Sequence, residues 1–270
     1  TGTSGGLSHT VDVSVTTNAI GLSTISGNVI EADEGTVTFV LPDFSAPRHT
    51  SPSKCGGVAQ AQLTDYSAGG YVLGMLQNNQ YEGLDTDSSI VSQSSGSCGQ
   101  FLGSTNTVFI MAGPDVNEAL YYYEQVAKDS PLYFSCSGGT CSYVERATGT
   151  SYQVWPLSSG QDYFMIEAFQ DSQGKNVYVI NGAGWTGTLA GAAYFNNKIY
   201  PDISSYTESW YIYEWQDAGS GISHNGFPDP GDTYTLVASG SSTGVASGSS
   251  MGAGGALIVA FRASAGTSAA

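Results

Sequence analysis

Basic residues are scarce in this chain. Its 270 residues hold 7 Lys and Arg against 23 Asp and Glu, a formal net charge of -16. A surface of that sign repels phosphate, so it argues against nucleic acid and anionic membranes as partners, both of which bind through basic patches. Charged residues of either sign make up only 11% of the chain while 40% is hydrophobic, a balance too apolar for disorder. Long apolar runs are missing: none reaches the roughly 20 residues of a membrane span, and "GGALIVAF", Gly254 to Phe261, has the length of a strand. Histidine is rare, and His9, His49 and His224 fall in no metal-ligand spacing. No phosphate loop occurs, and no cofactor and no metal are expected. The acidic turns at Asp85 ("DTDSS") and Asp229 ("DPGDT") could offer oxygen ligands, yet neither follows a calcium-loop pattern.

Glycine (36) and tyrosine (17) are abundant instead, a composition familiar from secreted β-proteins. Short β-type runs alternate with turns along the whole chain, among them "TVDVSVTT", "EGTVTFVLP", "GGYVLGML", "NTVFIMAG", "ALYYYEQV", "DYFMIEAF", "NVYVING", "GAAYFNN", "SWYIYEWQD" and "DTYTLVAS". Helix signals are almost absent; only "DVNEALYYYEQVAKD" competes, and its Tyr run suits a strand at least as well. Many short strands with frequent turns predict an all-β, antiparallel β-sandwich. The expected organisation is an N-terminal arm and strand (1–20), a sandwich core (21–200), and a C-terminal β extension of the same domain (201–270). The chain starts at Thr1 without Met, as a processed mature protein would.

Four cysteines fit that setting. Cys136 and Cys141 flank "SGGT" between two β-runs, which predicts a disulfide across a hairpin. Cys55 and Cys98 then pair by elimination, and an oxidised, extracellular location follows. The rival, a four-thiolate metal site, lacks paired CxxC spacing.

The run "DYFMIEAFQD" poses the chemical question. Strand alternation puts Tyr163, Met165 and Phe169 on one face and Phe164, Ile166 and Ala168 on the other, with Glu167 among apolar neighbours where an unpaired carboxylate is expensive. The stretch also looks like the catalytic segment, of the type "AEWIVE", of the secreted glutamic peptidases (eqolisins). Other segments from Gly21 to Asn197 follow in order. "ISGNVIEADEGTVTFVLPDFS" resembles the opening strands, "YVLGML" (Tyr71 to Leu76) a "WVGI" strand, and "YYYEQ" the "WYEW" strand. "SYVERATGTSYQV" resembles a strand–"TTG"–strand unit and "GAAYFNN" a "GTVYFTN" strand. The resemblance implies a concanavalin- or jelly-roll-like sandwich with Glu167 at the catalytic glutamate and Glu124 at the "WYEW" glutamate. It also implies a glutamine amide for the oxyanion in a strand like "ILQTG". Here "FIMAG" sets Met111 at that place, and a thioether has no N–H to donate. Gln100 in "GQFLG" serves only by a slip of register. A Glu124–Glu167 pair sharing one proton is a second carboxylate route. "SWYIYEWQD" reads as an aromatic strand with Glu214 exposed.

Two functions follow. The first is a structural subunit of an extracellular filament or surface layer on a catalytically silent sandwich. Copies would join when the alternating segment carrying Val11, Val13 and Val15 adds to a neighbour's open sheet edge. The other is an acid-active endopeptidase working on peptide through Glu167. The missing amide favours the first.

Overall fold

The structure, a computed structural model, describes residues 23–43, 61–72, 75–76, 80–218 and 226–242. In chain order these form α1 (Ile25–Glu34), β1 (Val37–Leu41), α2 (Leu63–Val72), β2 (Gln80–Leu84), β3 (Thr107–Met111) and α3 (Glu118–Tyr121). α3 runs into a π-helical turn at Tyr122–Val126, followed by β4 (Leu132–Ser137), β5 (Thr140–Glu145), β6 (Ser151–Trp155), β7 (Gln161–Gln170) and β8 (Asn176–Gly182). α4 (Trp185–Tyr194) continues into irregular helical turns to Ser205 before β9 (Trp210–Gln216) and β10 (Thr233–Gly240). The seven-stranded sheet has the order β10-β9-β7-β8-β3-β1-β2, and β4-β5-β6 form a separate antiparallel sheet.

The chain is β-rich as expected, but the main sheet is mixed rather than antiparallel. β2, β1, β3 and β8 run parallel, while β7, β9 and β10 join antiparallel. The physical reason was present in the runs themselves. "VTFVL" and "TVFIM" are buried at every position, and unbroken apolar strands belong to parallel sheets covered on both faces.

Helices supply one cover. Ile25, Val72, Ala190 and Phe195 pack on Phe39, Phe109, Tyr178 and Ile180. The opposite face carries Val108, Ile110, Met165, Val177 and Val179, covered by Leu120 and Tyr123 and by Leu132, Tyr143 and Val154 of the smaller sheet.

Four segments expected as strands are therefore helical. Residues 25–34 form α1 because the Thr24 hydroxyl accepts from the Gly27 N–H at 3.1 Å and Ile25, Val29 and Ala32 fall on one buried stripe. Tyr71 and Val72 end α2, and Tyr121 to Val126 form α3 and its π-helical turn, where Tyr123 is buried and Tyr122 only partly. "GAAYFNN" belongs to α4 and the turn after it. α4 is buried almost all round, so its Gly and Ala residues carry no helical periodicity to read. Gly191 faces the sheet, where an added Cβ would lie 2.7 Å from Ile180 Cγ2 and 3.0 Å from Phe164 Cδ2.

Gly191→Val should consequently cost about 1–3 kcal/mol by forcing α4 off the sheet. A urea-denaturation midpoint unchanged from the parent would contradict this packing.

Candidate functional site

Glu167 lies in the middle of β7 on the face covered by the smaller sheet, and its side chain has no exposed surface. Ser130 Oγ donates to Glu167 Oε1 at 2.6 Å, and the Leu132 N–H donates to Oε2 at 3.1 Å. Ser130 Oγ is also in contact with the Leu132 carbonyl. A hydroxyl carries one proton, so Ser130 serves only one of these two acceptors at a time. Burial pushes the Glu167 carboxyl up to about 7, against the pull of Ser130, the Leu132 N–H and Arg146.

Glu124, on the π-helical turn, is buried too. Its Oε2 accepts from the Phe134 N–H at 2.8 Å, and burial, with the charge of Glu167 adding to it, raises its carboxyl well above the usual range. Arg146 ties this region together through backbone carbonyls, reaching Ser130 O at 2.8 Å and Glu124 O at 2.7 Å. The charge of Glu167 thus reaches Glu124, but inside a closed layer, where Glu167 ties β7 to the entry of β4 and Glu124 ties the π-helical turn to it.

The proposed helper residues fall elsewhere. Met111 is buried against the helices, on the opposite face of the sheet from Glu167, so it does not occupy an oxyanion position beside it. β3 and β7 belong to one sheet, and strand alternation sends the two side chains to opposite faces. Gln100 sits in the loop that pairs Val91 with Phe101, held by backbone bonds with Ser92 and Ser97. Glu214 is half-buried and accepts from the Tyr163 hydroxyl at 3.2 Å.

Cys136 and Cys141 are bonded across the β4–β5 hairpin, and Cys98 is disulfide-bonded as well. Cys55, Val11, Val13, Val15 and the three histidines lie outside the described residues. Asp85 is a structural clamp: its two oxygens accept from the Asp43 and Glu118 N–H groups, each at 2.9 Å. Asp229 donates its N–H to Asp232, which also receives the Trp215 indole. Among the described residues no cluster of three or more His, Cys, Asp or Glu is placed to hold a metal, and no helix is long and apolar enough to cross a membrane.

The described surface opens instead at the carboxyl ends of β3 and β8, where parallel strands characteristically leave a crevice. A cleft of about 240 Å³ lies there, lined by Asp65, Asp115, Phe134, Asn181 and Trp185 among others. β3 enters it through Ala112, a non-glycine residue at φ 78°, followed by Gly113. Space at Gly113 is tight, since a Cβ would stand 2.8 Å from Asn181 Oδ1. Behind the lining residues Gly184 and Trp185, Asp162 caps α4, accepting from Gly184 N at 2.9 Å, from Gly187 N at 2.7 Å and from the Thr186 hydroxyl. Burial pushes Asp65 up to about 6, with the Gln62 N–H and Thr188 pulling it down and Asp162 pushing it further up. Asp115, at the open mouth, is also raised by the walls around it. Asn181 is fully buried, and neither its amide nitrogen nor its amide oxygen has a hydrogen-bond partner.

None of these cleft residues stood out in the sequence. The available signal was a turn-rich segment directly after an apolar run, "MAGPD" after β3 and "INGAGWTG" between β8 and α4, which marks strand ends in a parallel sheet. The chain matches no protein-family model and no curated protein.

Two outcomes test this reading of the buried groups. Glu167 binds its proton more tightly folded (about 7) than at its ordinary 4.5, so the native state holds a proton that the unfolded chain releases between those values. Its contribution is fully present below about pH 4 and is lost as pH rises through about 7, a change of about 3 kcal/mol. Glu167→Gln copies the protonated form, with its amide N–H toward Ser130. The variant should be more stable than the parent at about pH 8, with the difference shrinking as pH falls and vanishing below about pH 4. Equal denaturation midpoints for parent and variant at about pH 8 would rule this out. Asn181→Leu removes an orphaned amide without changing volume much, so stability should hold or rise by up to about 3 kcal/mol. A marked fall in its thermal midpoint would mean that the amide has a structural partner.

Proposed function

We propose that the chain is a structural subunit of an extracellular assembly, a filament or surface layer, built on a sandwich-like pairing of two sheets. The subunits are joined when an extended segment of one copy adds to the free edge of β10 in the next. The observation that carries this reading is the character of that edge. β10 ends the sheet, and its outer side pairs with no other described strand. Its residues, "TYTLVASG", include no charge and no proline, the usual protections of an exposed edge. Leu236 and Val237 are 51% and 42% exposed. Tyr234 anchors the strand among Phe164 and Tyr194, and a bulge between Leu236 and Ala238 turns Ala238 to the other face.

The segment around Val11, Val13 and Val15 has the alternation that strand addition uses: main-chain bonds for affinity, alternate side chains for register. Disulfide bonding at Cys136–Cys141 supports an oxidising location. A peptidase working through Glu167 would need access to a carboxyl with no exposed surface. Kinship with the glutamic peptidases adds nothing here, because several of the segments that carry the resemblance are helical.

Negative-stain microscopy of the purified chain should show polymers or ordered arrays. Deleting residues 1–17, or substituting Leu236→Asp on β10, should leave discrete particles. A full-length chain that stays monomeric at high concentration would defeat the proposal, as would a deletion that assembles equally well.

A further inference from the structure

We propose that the cleft at the carboxyl ends of β3 and β8 binds a neutral sugar residue, a function separate from assembly. Several observations converge on that ligand class. Asn181 is fully buried, lines the cleft, and leaves both a donor and an acceptor unused. Buried amides without partners are uncommon, and one beside an open cleft is completed by whatever enters it. A sugar ring offers hydroxyl groups that donate and accept at once, which matches an amide using both of its atoms. Asp65 and Asp115 line the same cleft and add acceptors for further hydroxyls.

Aromatic surface supplies the remaining contact. Trp185 is 49% exposed at the first residue of α4, and Phe134 lines the cleft beside it. An exposed indole next to polar groups suits the C–H face of a pyranose, apolar on its face and polar at its rim. The volume of about 240 Å³ accommodates one ring and not an extended lipid. Among the described residues no basic side chain lines the cleft, so nothing described there pairs with phosphate, sulfate or carboxylate. The carboxyls are too few for a metal, since no group of three ligating side chains gathers among the described residues.

The local backbone is shaped for such an approach. Ala112 takes a left-handed conformation at φ 78°, and Gly113 leaves the Asn181 side chain room that a Cβ would close. Asp162 fixes the N-terminus of α4, and thereby Trp185, by accepting from Gly184 and Gly187.

Saturation-transfer NMR on the full chain, with glucose, galactose, mannose and N-acetylglucosamine as probes, tests the assignment. At least one should bind with a dissociation constant of about 1 mM or tighter and change the tryptophan fluorescence. Asn181→Leu and Trp185→Ala should each weaken that binding at least about tenfold, a loss near 1.4 kcal/mol, while Glu167→Gln, outside the cleft, leaves it unchanged. No binding by any of the four sugars would overturn the proposal. Binding that survives Asn181→Leu would do the same, as would selective binding of ethylamine, the probe for a cation site.

Discussion

A central sheet that is apolar on both faces must be covered on both faces, and most of this molecule follows from that requirement. β1, β3 and β8 leave no polar side open to water along their central residues. Four helical segments cover one face, and the β4–β6 sheet with the α3 turn covers the other. Groups inside those layers must be satisfied internally or lose their charge. Glu167 does both: it gathers Ser130 and the Leu132 N–H and holds a proton up to about pH 7. Chemistry that needs solvent or substrate is thereby driven to the rim and to the open edge.

The rim is acidic for the same reason. Parallel strands deliver their carboxyl ends to one side, and antiparallel β7 returns its start there, so Asp43, Asp65, Asp85, Asp115 and Asp162 gather at that end of the sheet. Most are occupied by the fold. Asp85 clamps two loops and Asp162 caps α4. Asp65 accepts from the Gln62 N–H, and it shares one cleft with Asp115 and the unpartnered Asn181 amide. At the other extreme of the sheet, β10 offers main-chain groups and exposed Leu236 with no charge to repel a partner.

The strands of this architecture were largely legible. The runs around Phe39, Phe109, Tyr133, Tyr143, Tyr152, Glu167, Val179, Ile212 and Leu236 all lie in strands, and the alternation across β7 falls as its residues suggest. The helices were not, because α4 is buried on all sides and α1 carries Gly27 and Asn28 within its turns. Parallel pairing was hidden for a related reason: a buried apolar run reads alike in either direction, and β2 with Glu82 and Gly83 shows no strand pattern at all. Glu167 was found as a buried acid because its neighbours are apolar. Its partners were not visible, since Ser130 and Leu132 lie 37 and 35 residues away. Asn181 and Asp65 escaped notice because their meaning lies in where strands end rather than in any motif.

If covered faces confine function to the margins, the β10 edge should change state when copies associate while the core does not. Hydrogen exchange measured on dissociated and associated material reads this directly. Amides of residues 233–240 that point away from β9 should exchange rapidly in the dissociated subunit and become protected on association, with β3, β7 and β8 slow in both. Identical exchange along β10 in the two states would contradict the account.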